Sequence, residues 1–355
     1  MPRIILRRVA GSTLLLLALL GSLAAGAFAF LLTAALTATV PLVAGTALAV
    51  LAGTAFLLSW AGFRVFGGLG LRAAVYFAAT AAVLTGVLAA TTVFAPGPVV
   101  PGSPPPPGVR FWDLPTGSRI AYQHLPAAGT ARPTPIVFLH GGPGTPGEGI
   151  PAAGRALAAD GYDVYTYDQV GAGRSTRLAD VTGYTVARQV ADLDAIRTTI
   201  GADRFVLIGQ SWGGSLTAQY LAAHPDHVAK AVITSPGPIW RGDVVSDADE
   251  GSPWTTEPDL TPRALAMFLL LDQNPRAAHA LVPDAEADTW MHDLVLTGKD
   301  ATGCPGQPPA PRTATCRAST STSSPTPTSP ASPTPARRCA GSPCRPSSCA
   351  ASATS

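Results

Sequence analysis

Residues 205–222, FVLIGQSWGGSLTAQYLA, decide how the rest of the chain is read. Phe205 to Ile208 form a short apolar run of strand formers, and Leu216, Tyr220 and Leu221 continue at helical spacing, so Ser211 stands where a strand gives way to a helix. A G-x-S-x-G sequence in that context marks a sharp, strained turn that lifts a serine hydroxyl away from the backbone. Gly209 and Gly213 then occupy positions where side chains would collide. The same turn directs the amide of Trp212, at the helix N-terminus, toward any negative charge that develops beside the serine. Ser211 is the candidate nucleophile.

Upstream of this turn, strands and helices alternate. Arg119 to His124 alternates as a half-buried strand, and Pro135 to Leu139 is a continuous apolar run suited to a covered parallel strand. His140-Gly141-Gly142-Pro143-Gly144 follows it, a loop whose glycines let main-chain amides approach a substrate. Ala152 to Ala159 reads as a helix and Tyr162 to Tyr167 as a strand, followed by the loop DQVGAGRS at 168–175. Val186 to Ile200 carries helical periodicity, Arg204 to Ile208 leads into Ser211, and Val228 to Thr234 is a further strand. The alternation predicts an α/β fold with a mostly parallel sheet and a ligand site at the C-terminal strand ends.

HGGPG at 140–144, DQVGAGRS at 168–175 and GQSWGG at 209–214, in this order, resemble the proline iminopeptidase branch of the α/β-hydrolase superfamily, serine peptidases of the S33 type. The resemblance covers about Phe111 to Pro236 and continues more loosely to Lys299. It implies an α/β-hydrolase fold with a helical cap, no cofactor and no metal, and a peptide or other small acyl compound as substrate. Ser211 would be the nucleophile and the amides of Gly142 and Trp212 the oxyanion hole. His140, Gly141, Pro143, Gly144, Asp168, Gly209 and Gly213 would shape the active-site loops, with Asp168, Arg174 and Ser175 bracing rather than reacting. Val170 departs from the branch, which usually has Arg there. The order of the triad in this superfamily is nucleophile, acid, histidine, so His140 is expected to be a structural loop residue and His224 and His227 to be solvated.

After Pro236 the strand-helix alternation stops. Pro262 to Leu271 and Ala285 to Leu296 read as helices of a partial cap. Glu250, Glu257 and Glu286 could receive a substrate's free amino terminus, but no motif aligns them and solvated acidic surface is the preferred reading for each; His292 reads as packed or exposed. The resemblance implies that the acid and histidine follow the cap, after two further strands. Residues 304–355 contain no Leu, Ile, Val, Met, Phe, Tyr, Trp, Asp, Glu, Lys, His or Asn, and such a segment cannot bury apolar surface. It is expected to be a disordered low-complexity tail. Either it is a Pro/Ser/Thr stalk or, our preferred reading, a frame-shifted translation of the missing half; the alternative frame after Gly303 should then encode a G-x-x-D acid and a later G-H histidine. The triad acid and histidine are therefore unassigned. The expected function is that of an impaired aminopeptidase, with an esterase or other α/β-hydrolase and an inactive truncated product as alternatives.

Toward the N-terminus, Val9 to Phe63 holds no charged residue, and 55 such positions exceed the ~20 needed to cross a bilayer once. Three spans are predicted, near Ser12–Leu36, Leu42–Phe63 and Ala73–Ala95. Arg3, Arg7 and Arg8 precede the first, Arg64 and Arg72 lie between the second and third, and none lies near Thr39, which places the N-terminus inside and everything after Ala95 on the outer face of the cell membrane. A cleaved signal peptide would have an apolar region of only ~7–15 residues and would leave the later spans unexplained. Membrane lipid is thus an expected partner. From Ala73 to Asp300 inclusive there are 14 basic and 22 acidic residues, an acidic balance that argues against nucleic-acid binding. All five cysteines lie in the last 52 residues, in odd number and irregular spacing that suit neither a disulfide framework nor a thiolate metal site. The domain reading is a membrane anchor over 1–95, a Pro-rich linker over 96–110 serving only as a spacer, an α/β core over 111–237, a partial cap over 238–303 and the tail over 304–355. The sequence does not set the oligomeric state.

Overall fold

The computed structural model describes residues 2–66, 70–100, 105, 107–142, 144, 146, 149–237, 239 and 261–291. Three long helices open the chain: α1 (Pro2–Leu36), α2 (Val40–Phe66) and α3 (Leu71–Thr92). Each is long and apolar enough to cross a membrane; α1 begins at Pro2, well before the span predicted from Ser12, and the other limits lie close to the predicted spans. Small residues let the helices approach: Ala18, Ser22, Ala55 and Ser59 are fully buried, and a Cβ on Gly26 would stand 3.0 Å from Leu51 Cβ. Leu16, Leu20, Phe28, Val83 and Leu88 face outward and exposed, as a lipid-facing surface requires.

The second part is a six-stranded sheet in the order β1-β2-β4-β3-β5-β6. Its strands are β1 (Arg110–Asp113), β2 (Arg119–Leu125), β3 (Ile136–Leu139), β4 (Val164–Tyr167), β5 (Phe205–Gln210) and β6 (Val228–Thr234). β1, β2 and β4 pair antiparallel, while β4, β3, β5 and β6 run parallel. The sequence does not mark β1, which has four residues and one buried side chain, Trp112, held by stacking on Tyr122 across the pair. Strand β4 starts two residues later than the apolar pattern suggests. Gly161 adopts φ +89° and Tyr162 N–H donates to Leu157 O, so both still belong to the preceding turn.

Helix α4 (Ala152–Ala159) covers one face of the sheet; α5 (Val186–Thr199) and α6 (Trp212–Ala223) cover the other. Thr185 caps α5 by accepting from Arg188 N–H. Phe205, Leu207, Leu216 and Tyr220 are fully buried between β5 and α6, each contributing roughly 1.5–3 kcal/mol by removal from water. That packing is what holds Ser211 in place. Beyond it burial falls away: among the described residues β6 is an edge, with Val232 45% and Ile233 36% exposed.

Helices α7 (Pro262–Leu271) and α8 (Pro275–Leu281) begin with Thr-Pro and Asn-Pro, a cap followed by a proline that needs no donor. With the helical residues 284–291 they pack on the ends of α1 and α2, where Met267, Leu270, Ala278, Leu281 and Val282 bury against Ala34 and Val43. Asn274 Nδ2 donates to Ala34 O at 2.8 Å. Two sequence expectations are corrected here. Glu286 is not a solvated acid: it is 2% exposed and holds the guanidinium of Arg263 at 2.6 and 2.8 Å. Nor is the linker only a spacer, since Gly97 N–H donates to Glu286, Val100 N–H to Thr289 Oγ1, and Pro107 O accepts from Gln123. Glu250, Glu257, His292 and the tail from 304 lie outside the described residues.

Candidate active site

Ser211 joins β5 to α6 with φ 52° and ψ −121°, a conformation that a non-glycine residue adopts at a cost on the order of 1–3 kcal/mol. Backbone bonds hold it there. Its N–H donates to Thr234 O at 3.0 Å, and its carbonyl accepts from Gly214, Ser215 and Gly237 at 2.9, 3.2 and 3.1 Å. The glycines on either side are steric necessities: a Cβ on Gly209 would stand 2.2 Å from Gly213 O, and one on Gly213 would stand 2.2 Å from Leu139 O. The close stacking of β5, α6 and β3 that sets the serine therefore depends on both.

The loop after β3 lies against the serine. A methyl on Gly141 would stand 3.2 Å from Ser211 Cβ and 3.7 Å from its Oγ. Gly142 and Gly144 have φ +112° and +98°, left-handed values that favour glycine, while Pro143 lies outside the described residues. His140 is committed on both nitrogens. Gln169 N–H donates to Nε2 at 2.9 Å, so the proton sits on Nδ1, which donates to Gly141 O at 2.8 Å. Burial lowers its pKa to about 4, against a smaller opposing effect of the Gly141 bond. A neutral ring hydrogen-bonded through both nitrogens ties the loop after β3 to the loop after β4.

Gln169 is the residue whose part the sequence did not disclose. Its Nε2 donates to His140 O at 3.0 Å and its Oε1 accepts from Trp212 Nε1 at 2.8 Å, so one amide ties all three motifs together. Nothing in its spacing distinguishes it from the neighbouring Val170, which is simply buried in the core. Asp168 accepts from Arg174 N–H at 2.9 Å and fills the space in front of Gly173, where a Cβ would stand 2.2 Å from Oδ2. Ser175 Oγ donates to Asp168 O and accepts from Ala121 N–H, tying the loop to β2. A cavity of about 350 Å³ opens at these strand ends, lined in part by Gln123, Phe138, His140, Asp168 and Gln210.

Burial raises the pKa of Asp168 to about 6, outweighing the Arg174 amide and guanidinium. The signs of the two titrations are opposite. His140 is protonated in the unfolded chain at 6.5 but not in the folded one until about 4, so its contribution is present above pH 6.5 and lost on acidification. Asp168 keeps its proton longer when folded, so its contribution is present below pH 3.8 and lost as pH rises through about 6. Each spans on the order of 3 kcal/mol at 1.36 kcal/mol per unit. Denaturant titrations across this range should therefore show Asp168→Asn gaining stability relative to the parent as pH rises from 4 to 6.

Other histidines lie elsewhere. His224 and His227 are half-buried: their rings stack and His227 Nδ1 is 3.1 Å from Asp194, while the His227 side chain stays 36% exposed. Asp194, His224 and His227 bring metal-ligand atoms within 4.8 Å of one another, yet Asp194 Oδ1 already accepts from Arg197 Nε at 2.9 Å and Tyr220 Oη at 2.7 Å. The group is a hydrogen-bonded knot behind α6. Among the described residues, no histidine is hydrogen-bonded to Ser211 Oγ.

Comparison with known proteins bears on this geometry. The profile of a family described as alpha/beta hydrolase fold matches residues 134–313, just over half of the chain. A proline iminopeptidase of Heyndrickxia coagulans is 36% identical over 131 residues, covering 36% of this chain and 44% of that protein. One from Lactobacillus delbrueckii subsp. bulgaricus is 35% identical over 124 residues, covering 34% and 42%. Among solved structures, a proline iminopeptidase of Mycobacterium smegmatis is 33% identical, covers 35% of this chain and 42% of its own, and has a TM-score of 0.30. The chain thus spans less than half the length of these relatives. With the matched segment containing the strained serine, the strand order around it and all three glycine-rich loops, the chain belongs to the α/β-hydrolase fold family.

Proposed function

We propose that this chain is a membrane-anchored serine hydrolase of the proline iminopeptidase type, releasing N-terminal residues from peptides on the outer face of the cell. The observation that carries the reading is Ser211 at φ 52° in a β5–α6 turn, with Gly141 packed against its side chain. Ser211 Oγ attacks the carbonyl carbon of the N-terminal residue, the amides of Gly142 and Trp212 receive the oxyanion, the shortened peptide leaves as the amine with the serine proton when the C–N bond breaks, and water then releases the acyl group. Similarity to proline iminopeptidases over 34–36% of the chain supports the substrate class. Three apolar helices support the anchor, and the placement of Arg7, Arg8, Arg64 and Arg72 at the ends of α1, α2 and α3 opposite the sheet domain supports an outward-facing domain.

Turnover is impaired in this reading, because no histidine base reaches Ser211 among the described residues. A serine that keeps its proton relies on the oxyanion hole and binding alone, and loss of a triad base in serine peptidases costs on the order of 10⁶ in kcat. The full-length chain in detergent should cleave a prolyl arylamide slowly, faster than an aryl acetate, and Ser211→Ala should remove that residue of activity and any fluorophosphonate labelling. Preference for the acetate would point to an esterase. An equal rate in Ser211→Ala would end the serine-hydrolase reading of this chain.

A further inference from the structure

We infer that α7 is an interfacial helix that lays one apolar stripe into the outer leaflet of the bilayer, fixing the sheet domain against the membrane; this rests on the membrane-anchored reading above. Helix α7 has two apolar faces rather than one. Ala264, Ala266, Met267, Leu270 and Leu271 are buried, whereas Leu265, Phe268 and Leu269 are 48–49% exposed. The latter sit at i, i+3 and i+4, one stripe along one side. In water, three such side chains on one short helix would form an exposed apolar patch.

The location of the stripe identifies what covers it. The buried face of α7 and α8 packs on Ala34 and Val43, with Phe30 and Leu31 beside them. Phe30 lies six residues before the end of α1, so the contact begins ~9 Å below the helix end. The uncharged part of α1, from Val9 to Leu36, is ~42 Å long, and a hydrocarbon core is ~30 Å thick. The last turns of α1 therefore stand at the level of the headgroups and the first acyl carbons, the depth at which interfacial helices bury their apolar faces, ~5–10 Å. Leu32, Leu36 and Leu42, at the same end of the α1–α2 hairpin, are exposed as well, so the stripe continues a surface that already faces lipid. The polar side of the assembly points the other way. Arg276 pairs with Asp180 at 2.6 Å, and Arg177 pairs with Asp284 and Asp288 at 3.0 and 2.7 Å, which join α8 and residues 284–291 to the sheet domain. Asp272, exposed just past the end of α7, marks where the stripe leaves the apolar layer.

Nitroxide accessibility tests this in the full chain reconstituted into dioleoylphosphatidylcholine vesicles, with the five tail cysteines replaced by serine. Spin labels go singly on Leu265→Cys, Phe268→Cys and Leu269→Cys, with Leu84→Cys on α3 as the lipid reference and Gln273→Cys as the aqueous one. The expected result is that the three α7 labels collide with oxygen rather than with an aqueous nickel chelate, as the Leu84 label does. If they behave like Gln273 while Leu84 stays lipid-like, the inference fails and the anchor stands. Shielding from both quenchers would mean that protein covers the stripe and would equally overturn it. An aqueous Leu84 label would instead overturn the membrane reading itself. Three separate labels keep the outcome readable if one variant fails to reconstitute.

Discussion

Gly213→Ala is expected to cost about 3 kcal/mol or more of stability and to abolish fluorophosphonate labelling of Ser211 together. The added methyl would stand 2.2 Å from Leu139 O, 2.6 Å from Leu139 C and 2.8 Å from His140 O, all backbone atoms of β3 and its loop. No side-chain rotation relieves a clash with main chain, so α6 or β3 must move. Overpacking of this kind ordinarily costs 1–3 kcal/mol, and here the displaced atoms also belong to the β5–α6 contact that holds Ser211 in its strained conformation. Ser215→Ala is the matched control. Ser215 Oγ is buried on the same helix with no hydrogen-bond partner among the described residues, so its removal should be neutral or stabilising. Melting temperature in detergent and labelling of Ser211 separate the two. A stable, labelled Gly213→Ala variant would show that the β3–α6 contact is looser than these distances require.

The same glycines show why this half of the molecule was legible in the sequence. A strained serine between a strand and a helix demands small residues at fixed offsets, and Gly209 and Gly213 stand at those offsets whatever the rest of the chain does. Strands β3 and β5 are likewise announced by continuous apolar runs, because a parallel strand covered on both faces cannot alternate. Gln169 and β1 were not legible. Gln169 acts through two amide bonds to loops 29 and 43 residues away in sequence, and no local pattern records such a link. β1 pairs with β2 over four residues and buries one side chain, Trp112, stacked on Tyr122, in a segment otherwise exposed. Pro262–Leu271 and the helical residues from 284 were legible as helices, but α8 between them was not, and neither was their placement. Their apolar content fits a helical cap and helices packed against the N-terminal apolar helices equally well; the contacts with Ala34 and Val43 show the packing against the N-terminal helices.

That placement turns on one buried ion pair, and removing half of it is the second large effect expected. Arg263 is 6% exposed and Glu286 2%. The guanidinium meets both carboxylate oxygens, and it also donates to Val93 O at 2.8 Å and to Leu281 O, while Glu286 accepts from Gly97 N–H at 3.0 Å. Two stretches distant in sequence thus close around a single pair: Val93 to Gly97, after α3, and Arg263 to Glu286, which spans α7, α8 and the start of the helical residues 284–291. Glu286→Ala leaves a cation without its counter-charge in a dry site, which costs about 3–5 kcal/mol. The double replacement Arg263→Met, Glu286→Leu removes both charges and keeps apolar volume, so it should recover most of that loss, although Val93 O and Gly97 N–H then lack a partner. Hydrogen exchange of the α7 and 284–291 amides reads the effect directly, since the α5 and α6 amides serve as an internal reference. Faster exchange confined to α7, α8 and 284–291 in Glu286→Ala, reversed in the double variant, would identify the pair as the lock between the apolar N-terminal helices and the sheet domain. Unchanged exchange would mean that the apolar contact of Met267, Leu270 and Leu281 with Ala34 and Val43 holds the junction by itself.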